Sequence, residues 1–259
     1  MNLNELKKSL SRLPLGDVRY FDTIGSTNDE ALAWAATDTP DLSVVIADEQ
    51  TAGRGRLDRK WFTPRDTALA FSVVLRPTAE QRPHLTRIVG LAALAVAEPL
   101  RKRGLDARIK WPNDILIQNR KVCGILIESV WSGEDVDCVV IGIGINVLEG
   151  SVPPEEMLRY PATSLEAELG QAPDRVKILR DILAYLIELR PRLGTDEFLK
   201  QWEDLLALQG ETVQVETEKT PNITGQIMGL DSNGCLKLRN EHGEIVTVRF
   251  GDVRLRPLA

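Results

Sequence analysis

The 259-residue sequence has only two histidines and three cysteines, and that shortage narrows its chemistry. His84 and His242 lie too far apart in sequence to read as a metal pair, so both are expected to be structural or surface residues. Cys123, Cys138 and Cys235 are odd in number, form no C-x-x-C pair and have no histidine beside them, which argues against a disulfide framework and a zinc site alike. They read as buried thiols. No apolar run approaches the roughly 20 residues that a membrane helix needs, and the start, MNLNELKKSLSRLP, lacks the apolar core of a signal peptide. A soluble, cytoplasmic chain without a membrane partner is the expectation. Positive charge is short too: the formal net charge is −6, the wrong sign for a chain whose main task is to hold nucleic acid.

Against that acidic background the stretch Thr51 to Trp61, TAGRGRLDRKW, packs three arginines and a lysine into eleven residues. Gly53 and Gly55 bracket Arg54, so dense cationic charge is joined to a backbone able to bend closely around a ligand. That is the composition of an anion clamp, and the alternative is a solvated basic loop without a ligand. The preceding LSVVIADEQ reads as a strand, and the loop is expected to leave a sheet edge. A second cluster, KWPND from Lys110 to Asp114, places a cation, a ring and a carboxylate within five residues. The rigid pair Trp111-Pro112 after Lys110 would fix its direction. Lys110 reads either as a surface lysine or as a compact charge aimed at a reacting carboxylate or phosphate. Asp114 has three readings: it holds Mg²⁺, orients Lys110, or caps the turn.

The rest of the chain frames these two clusters. Asn2 to Leu13 has helical periodicity and stops at Pro14. It is too short for a separate helix-turn-helix domain. VRYFDTIGSTNDEALAWAA predicts a strand, a turn and a helix, with Ser26, Thr27 and Asn28 ahead of the helical run. GSTN is either an ordinary N-cap or a set of N–H and hydroxyl groups suited to a urea or amide head. TALAFSVVLRP predicts a buried strand and LTRIVGLAALAVAEPLRKRG an apolar helix ending before Gly104. ARIKWPNDILI and KVCGILIESV are expected to flank a turn at QNR. DCVVIGIGINV is another buried strand, whose Gly142 and Gly144 allow close backbone approach. GIGIN lacks the dinucleotide fingerprint and no βαβ unit follows, so a Rossmann reading is rejected. Three helices follow in ATSLEAELG, DRVKILRDILAYLIELRPRL and TDEFLKQWEDLLAL. Past Gly210 the texture turns to four or five short strands split by Gly, Asn-Gly and His-Gly turns, a small all-β unit of the SH3-like kind. Two domains are expected, residues 1–208 and 209–259.

GSTNDEA, DEQTAGRGRLDRKW, KWPNDILIQNRKVCGILIES and GIGINV, in that order and spacing, resemble the catalytic domain of biotin protein ligases over most of Val18 to Val147. GRGR with KWPND is the specific part of the match. The tail is similar to that family's small C-terminal domain, and the chain resembles the enzyme-only class that lacks an N-terminal DNA-binding domain. The resemblance implies an α+β fold with a mixed central sheet flanked by helices, of the class II aminoacyl-tRNA synthetase-like type, plus the SH3-like barrel. It implies that biotin and ATP, with Mg²⁺, give biotinyl-5′-AMP, from which biotin passes to a lysine of a biotin carboxyl carrier domain such as that of acetyl-CoA carboxylase. By position, Ser26, Thr27, Gln50 and the backbone around Arg54 resemble the biotin-ring site. Arg54, Arg56, Arg59 and Lys60 resemble the loop over the adenylate. Lys110, with Arg56, resembles the catalytic pair, Lys110 meeting the biotin carboxylate and the α-phosphate. Asn146 resembles a contact on the adenine side, and Lys121 and Gly124 lie on the strand beneath biotin. Trp61 and Trp111 would wall the pocket. No protein metal ligands are implied, and exposed sheet edges leave room for a homodimer.

One position departs from the family pattern. Asp58 stands where many members carry Gly in the basic loop; Asp tolerates a left-handed backbone, and it is expected to face solvent or pair with Arg59. Asp58→Gly, assayed by pyrophosphate exchange, tests whether the acid opposes the nucleotide. Two rivals remain. A lipoyl or octanoyl transferase would need a cysteine nucleophile, for which Cys123 is the candidate. A non-catalytic biotin-binding regulator would need neither Arg56 nor Lys110.

Overall fold

A computed structural model describes residues 1–37, 39–57, 59–158, 160–216 and 222–249; Asp58 and the last ten residues of the expected β tail lie outside them. The larger part is a seven-stranded sheet in the order β1-β2-β3-β7-β6-β5-β4. Its strands are β1 (Val18–Phe21), β2 (Ser43–Ala47), β3 (Ala68–Leu75), β4 (Ala107–Lys110), β5 (Asp114–Ile117), β6 (Arg120–Ser132) and β7 (Asp135–Asn146). β1 and β2 run parallel and the remaining neighbours antiparallel, so the sheet is mixed, as expected.

Alternation along the central strands decides which side of the sheet becomes core and which becomes site, because successive side chains of a strand point to opposite faces. Leu69, Phe71, Val73 and Leu75 of β3 and Val139, Ile141, Ile143 and Ile145 of β7 join the main hydrophobic core. They pack there with the apolar helix α3 (Ile88–Arg101) and the amphipathic α5 (Arg175–Leu189). The opposite face carries Ser72, Gly142, Gly144 and Asn146 on the same strands. At one end of that face, Val45, Val74, Cys138 and Val140 bury Ala31, Trp34 and Ala35 of α2 (Thr27–Ala35). At the other end the glycines leave the sheet floor bare.

Two details differ from the sequence-based expectation. β2 is flanked by β1 and β3, so the basic loop leaves the end of an interior strand and not a sheet edge. ARIKWPNDILI is two strands and not one, broken at Trp111–Asn113 into β4 and β5. The cyclic side chain of Pro112 has no N–H to give a ladder, and β5 turns back against β4 with Lys110 opposite Asp114.

The remaining helices are α1 (Leu3–Leu10), α4 (Leu165–Leu169) and α6 (Asp196–Asp204). After α6 comes an antiparallel four-stranded sheet, β8 (Thr212–Val215), β9 (Ile223–Leu230), β10 (Leu236–Arg239) and β11 (Ile245–Val248), in the order β11-β10-β9-β8. It fits a small SH3-like unit. Cys123 and Cys138 are buried, whereas Cys235 is half-exposed, because it closes a surface turn of this unit. No helix among the described residues is long and apolar enough to cross a membrane.

Candidate active site

A cavity of about 640 Å³ opens over the glycine-lined face of the sheet. Its wall includes Ser26, Thr27, Gln50, Arg54, Arg56, Arg59, Lys60, Trp61, Lys110, Gly124 and Asn146, with Lys121 beside them, but not Trp111. The two cationic segments, well separated in sequence, therefore share one cavity.

One end of the cavity is neutral and tightly hydrogen-bonded. Ser26 caps α2 from an extended backbone, which leaves the first-turn N–H of Thr27 to donate to Gln50 Oε1 at 2.8 Å. The Thr27 hydroxyl donates to the same oxygen at 3.1 Å, and Gln50 Nε2 donates to Thr63 Oγ1 at 3.0 Å. Gln50 is itself fixed by bridges to Ile24 and Thr63. Below them the buried Ser72 Oγ stands 2.6 Å from Asn28 Oδ1 and 2.9 Å from Thr27 Oγ1. Asn28 lies against Gly142, where any Cβ would overlap its amide. GSTN is thus both an N-cap and one wall of the cavity.

A charged layer comes next. Arg54 Nη2 donates to Glu128 Oε2 at 2.6 Å and pairs with Asp29 Oδ1 at 2.7 Å. Glu128 Oε2 also accepts from Asn28 Nδ2 at 2.8 Å. Arg54 therefore ties the start of the basic loop to α2 and to β6. The loop folds back on itself: Arg54 bridges Lys60, Gly55 N donates to Arg59 O at 2.7 Å, and Trp61 N donates to Gly53 O at 2.8 Å. At its tip Leu57 takes the left-handed conformation, φ 55°. Arg56 Nη1 reaches across to Asn113 Oδ1 at 3.2 Å, and Asn113 Nδ2 is held by Ile125 O at 2.8 Å.

Two ammonium groups share one carboxylate at the far end. Lys121 Nζ lies 2.7 Å from Asp114 Oδ1, and Lys110 Nζ lies 3.7 Å from Asp114 Oδ2. Lys110 is buried, its ammonium 4.8 Å from the centre of the Tyr160 ring, while Lys121 stands 5.3 Å from the centre of Trp61. Burial, and secondarily the Asp114 charge, push the Tyr160 phenol up, so its hydroxyl stays neutral beside the cations. Trp61 lies flat over Gly124 and Gly144, where a Cβ on Gly144 would overlap the indole. Its buried indole N–H meets no acceptor among the described residues. A buried, unsatisfied donor costs about 1–3 kcal/mol, so this N–H is an available contact for whatever fills the cavity.

Trp111 does not belong to the cavity, contrary to expectation. Trp111 lies in the turn between β4 and β5, and its indole N–H donates to Gly234 O at 2.9 Å in the C-terminal unit. Sequence reasoning also passed over Ser72, Asn113, Glu128 and Tyr160. Period-two alternation from Gly124 places Glu128 on the cavity face, a usable signal. Tyr160 comes from an irregular loop and carried no such signal.

A mixed sheet with a glycine-floored cavity, neutral polar contacts at one end and clustered cations at the other defines an enzyme that brings a small acid to a nucleotide. The comparisons narrow that class. Sequence profiles of the Biotin/lipoate A/B protein ligase family and of the Biotin protein ligase C terminal domain match residues 20–146 and 209–256. The chain is 36% identical over 234 residues to the biotin–[acetyl-CoA-carboxylase] ligase of Paracoccus denitrificans, covering 85% of this chain and 93% of that protein. It is 35% identical over 243 residues to the bifunctional ligase/repressor BirA of Bacillus spizizenii, covering 91% of this chain and 73% of that one. Its fold matches the biotin protein ligase of Aquifex aeolicus in complex with biotin and ATP, with a TM-score of 0.80, 30% identity and coverage of 93% and 99%. The chain belongs to the biotin protein ligase family.

Proposed function

We propose that the neutral end of the cavity holds the ureido ring of biotin and that the cationic end holds ATP. The protein is a biotin protein ligase, which activates biotin with ATP and transfers it to a lysine. A biotin carboxylate oxygen attacks the α-phosphorus, the bond to the bridging oxygen breaks, and pyrophosphate leaves with its electron pair. Two anions must meet for this to happen, and fixed positive charge in a cavity stabilises the developing charge far more than the same charge in water. Lys110 and Lys121, both oriented by Asp114, supply it. Of the three readings of Asp114, this favours orientation of Lys110 and extends it to a second lysine.

Arg56, held by Asn113, and Arg59 with Lys60 line the polyphosphate path. Trp61 offers its face to the adenine, and Asn146, which donates to Thr163 O at 3.1 Å, lies on that side. Mg²⁺ is proposed to arrive with the triphosphate as part of the substrate. In the second step the acceptor lysine amine attacks the biotinyl carbonyl carbon, and AMP leaves as the mixed anhydride bond breaks. The acceptor is proposed to be a biotin carboxyl carrier domain, modified in the cytoplasm. Residues 1–208 are proposed as the catalytic domain and residues 209–259 as the small β domain.

The observation that carries the reading is the shared cavity: Gln50 and Thr27 at one end, and Lys110 and Lys121 on one carboxylate at the other. The cysteine-dependent alternative has no support in the geometry, because Cys123 is fully buried and burial pushes its thiol far up. A purified carrier domain incubated with the protein, biotin, ATP and Mg²⁺ should gain the mass of one biotinyl group on one lysine, read by mass spectrometry. No mass gain, or a gain without ATP, overturns the assignment.

A further inference from the structure

We propose that the C-terminal β unit acts as a brace for the turn carrying Lys110, with Trp111 as the positioning residue that transmits it. The inference rests on the ligase reading above and assigns a task to the unit, whose strands contribute no residue to the cavity wall among the described residues.

β4 is the last strand of the large sheet, and the segment leading into the small unit occupies its outer edge. Ile109 N donates to Leu205 O at 2.7 Å and Ala207 N donates to Ile109 O at 2.8 Å, which fixes the backbone one residue before Lys110. One residue after it, Trp111 is 5% exposed, and its indole N–H reaches Gly234 O. Lys110 is thereby held on one side by the segment that follows α6 and on the other by the Gly234 turn of the C-terminal unit. Next along the chain, Asn113 holds Arg56 and Asp114 holds the two lysines. Displacing this turn would move three cationic groups together.

The receiving carbonyl is itself rigidly held. Gly234 lies in the turn from Asp231 to Cys235, closed by Asp231 N to Cys235 O at 2.9 Å and by Gly234 N to Asp231 O at 3.0 Å. Asp231 Oδ1 accepts from Asn233 N at 2.8 Å and from Cys235 N at 2.9 Å. From the main core the buried Arg87 donates to Ser232 O through Nε at 3.0 Å and Nη2 at 2.6 Å. Trp202 is wedged between Gly90 of α3 and Gly234, and a Cβ at either glycine would overlap its ring. A carbonyl this constrained can impose a direction on its partner, and errors of about 1 Å in the placement of a reacting group cost on the order of a hundredfold in rate.

The test compares Trp111→Phe, which removes the N–H and keeps an aromatic ring, with Asp231→Ala, which loosens the turn from the far side without touching the cavity. Biotin-dependent pyrophosphate exchange and calorimetric biotin affinity are measured for each variant and for the double variant. We expect exchange kcat to fall about tenfold in either single variant, biotin affinity to stay within about twofold, and the double variant to be no slower than the slower single. Wild-type exchange in Trp111→Phe overturns the brace, as do losses that multiply in the double variant or biotin affinity that falls in step with rate. Should Trp111→Phe not fold, Asp231→Ala decides alone by the same split between rate and affinity. Wild-type protein run alongside keeps the two ideas apart: no exchange there removes the ligase reading, whereas normal exchange unaffected by the variants removes only the brace.

Discussion

The two ends of the cavity are built on opposite principles. At the Gln50 end the polar groups are neutral, pre-paired and anchored to helix and sheet: Thr27, Asn28, Gln50, Thr63 and Ser72 satisfy one another before any ligand arrives. At the Lys110 end, two ammonium groups share one carboxylate and lie next to the loop that carries Arg56, Arg59 and Lys60. The neutral end can recognise a urea-like ring by exchanging one set of hydrogen bonds for another. On the proposed reading the cationic end meets the negative charge that appears when carboxylate and triphosphate are brought together, and groups of that kind act on the transition state more than on binding.

Mutations at the two ends should therefore separate rate from affinity. The largest effect is expected at the cationic end: Lys110→Ala should lower adenylation about a hundredfold or more while biotin affinity falls less, with Lys121→Ala following it in kind. Stopped-flow or pyrophosphate-exchange rates set beside calorimetric affinities check this, and normal turnover in Lys110→Ala would remove the lysine from the mechanism. Gln50→Ala should do the reverse. Removing it strands the Thr27 N–H and hydroxyl, each at about 1–3 kcal/mol, so biotin affinity should drop about tenfold or more while the rate at saturating biotin holds. Equal losses in rate and affinity would erase the distinction between the ends.

Arg56→Gly tests the loop that spans them. Without the bond to Asn113 the second half of the basic loop should let biotinyl-AMP escape several-fold faster, since closing loops retain reactive intermediates. Bystander proteins added to the reaction should then become biotinylated, and their remaining unlabelled would count against the loop's role. The smallest effect should come from the cysteines. Thiol alkylation under native conditions should leave turnover unchanged, because Cys123 lies buried beneath the cavity floor with its thiol held protonated by burial.

Much of this arrangement was legible in the chain. The alternation of isoleucine and glycine in GIGIN fixes a strand with an apolar face and a bare face, and the arginine density of TAGRGRLDRKW singles out the loop that lines the cavity. GSTN before an apolar-periodic run marks a helix start. What escaped was non-local. Trp61 and Trp111 each follow a lysine and were both expected in the wall. Trp61 does lie on the sheet floor, while Trp111, in the turn after β4, gives its indole N–H to Gly234 of the C-terminal unit, a partner 123 positions away. The importance of Lys121 was understated for a related reason: its carboxylate, Asp114, lies on β5, across the hairpin from β6. The pairing of Glu128 with Arg54 joins residues 74 apart in sequence.

The amino-acid order alone determined which segments become strands and helices, which face of each central strand is apolar and where the cations cluster, because those follow from side-chain type and a spacing of two or about four residues. Only the tertiary structure decided which cations share a carboxylate, which indole meets the cavity and which element packs against the turn that carries Lys110. Those outcomes depend on how distant segments pack in three dimensions, and contacts between chemically similar side chains far apart in the chain leave no periodic trace in it.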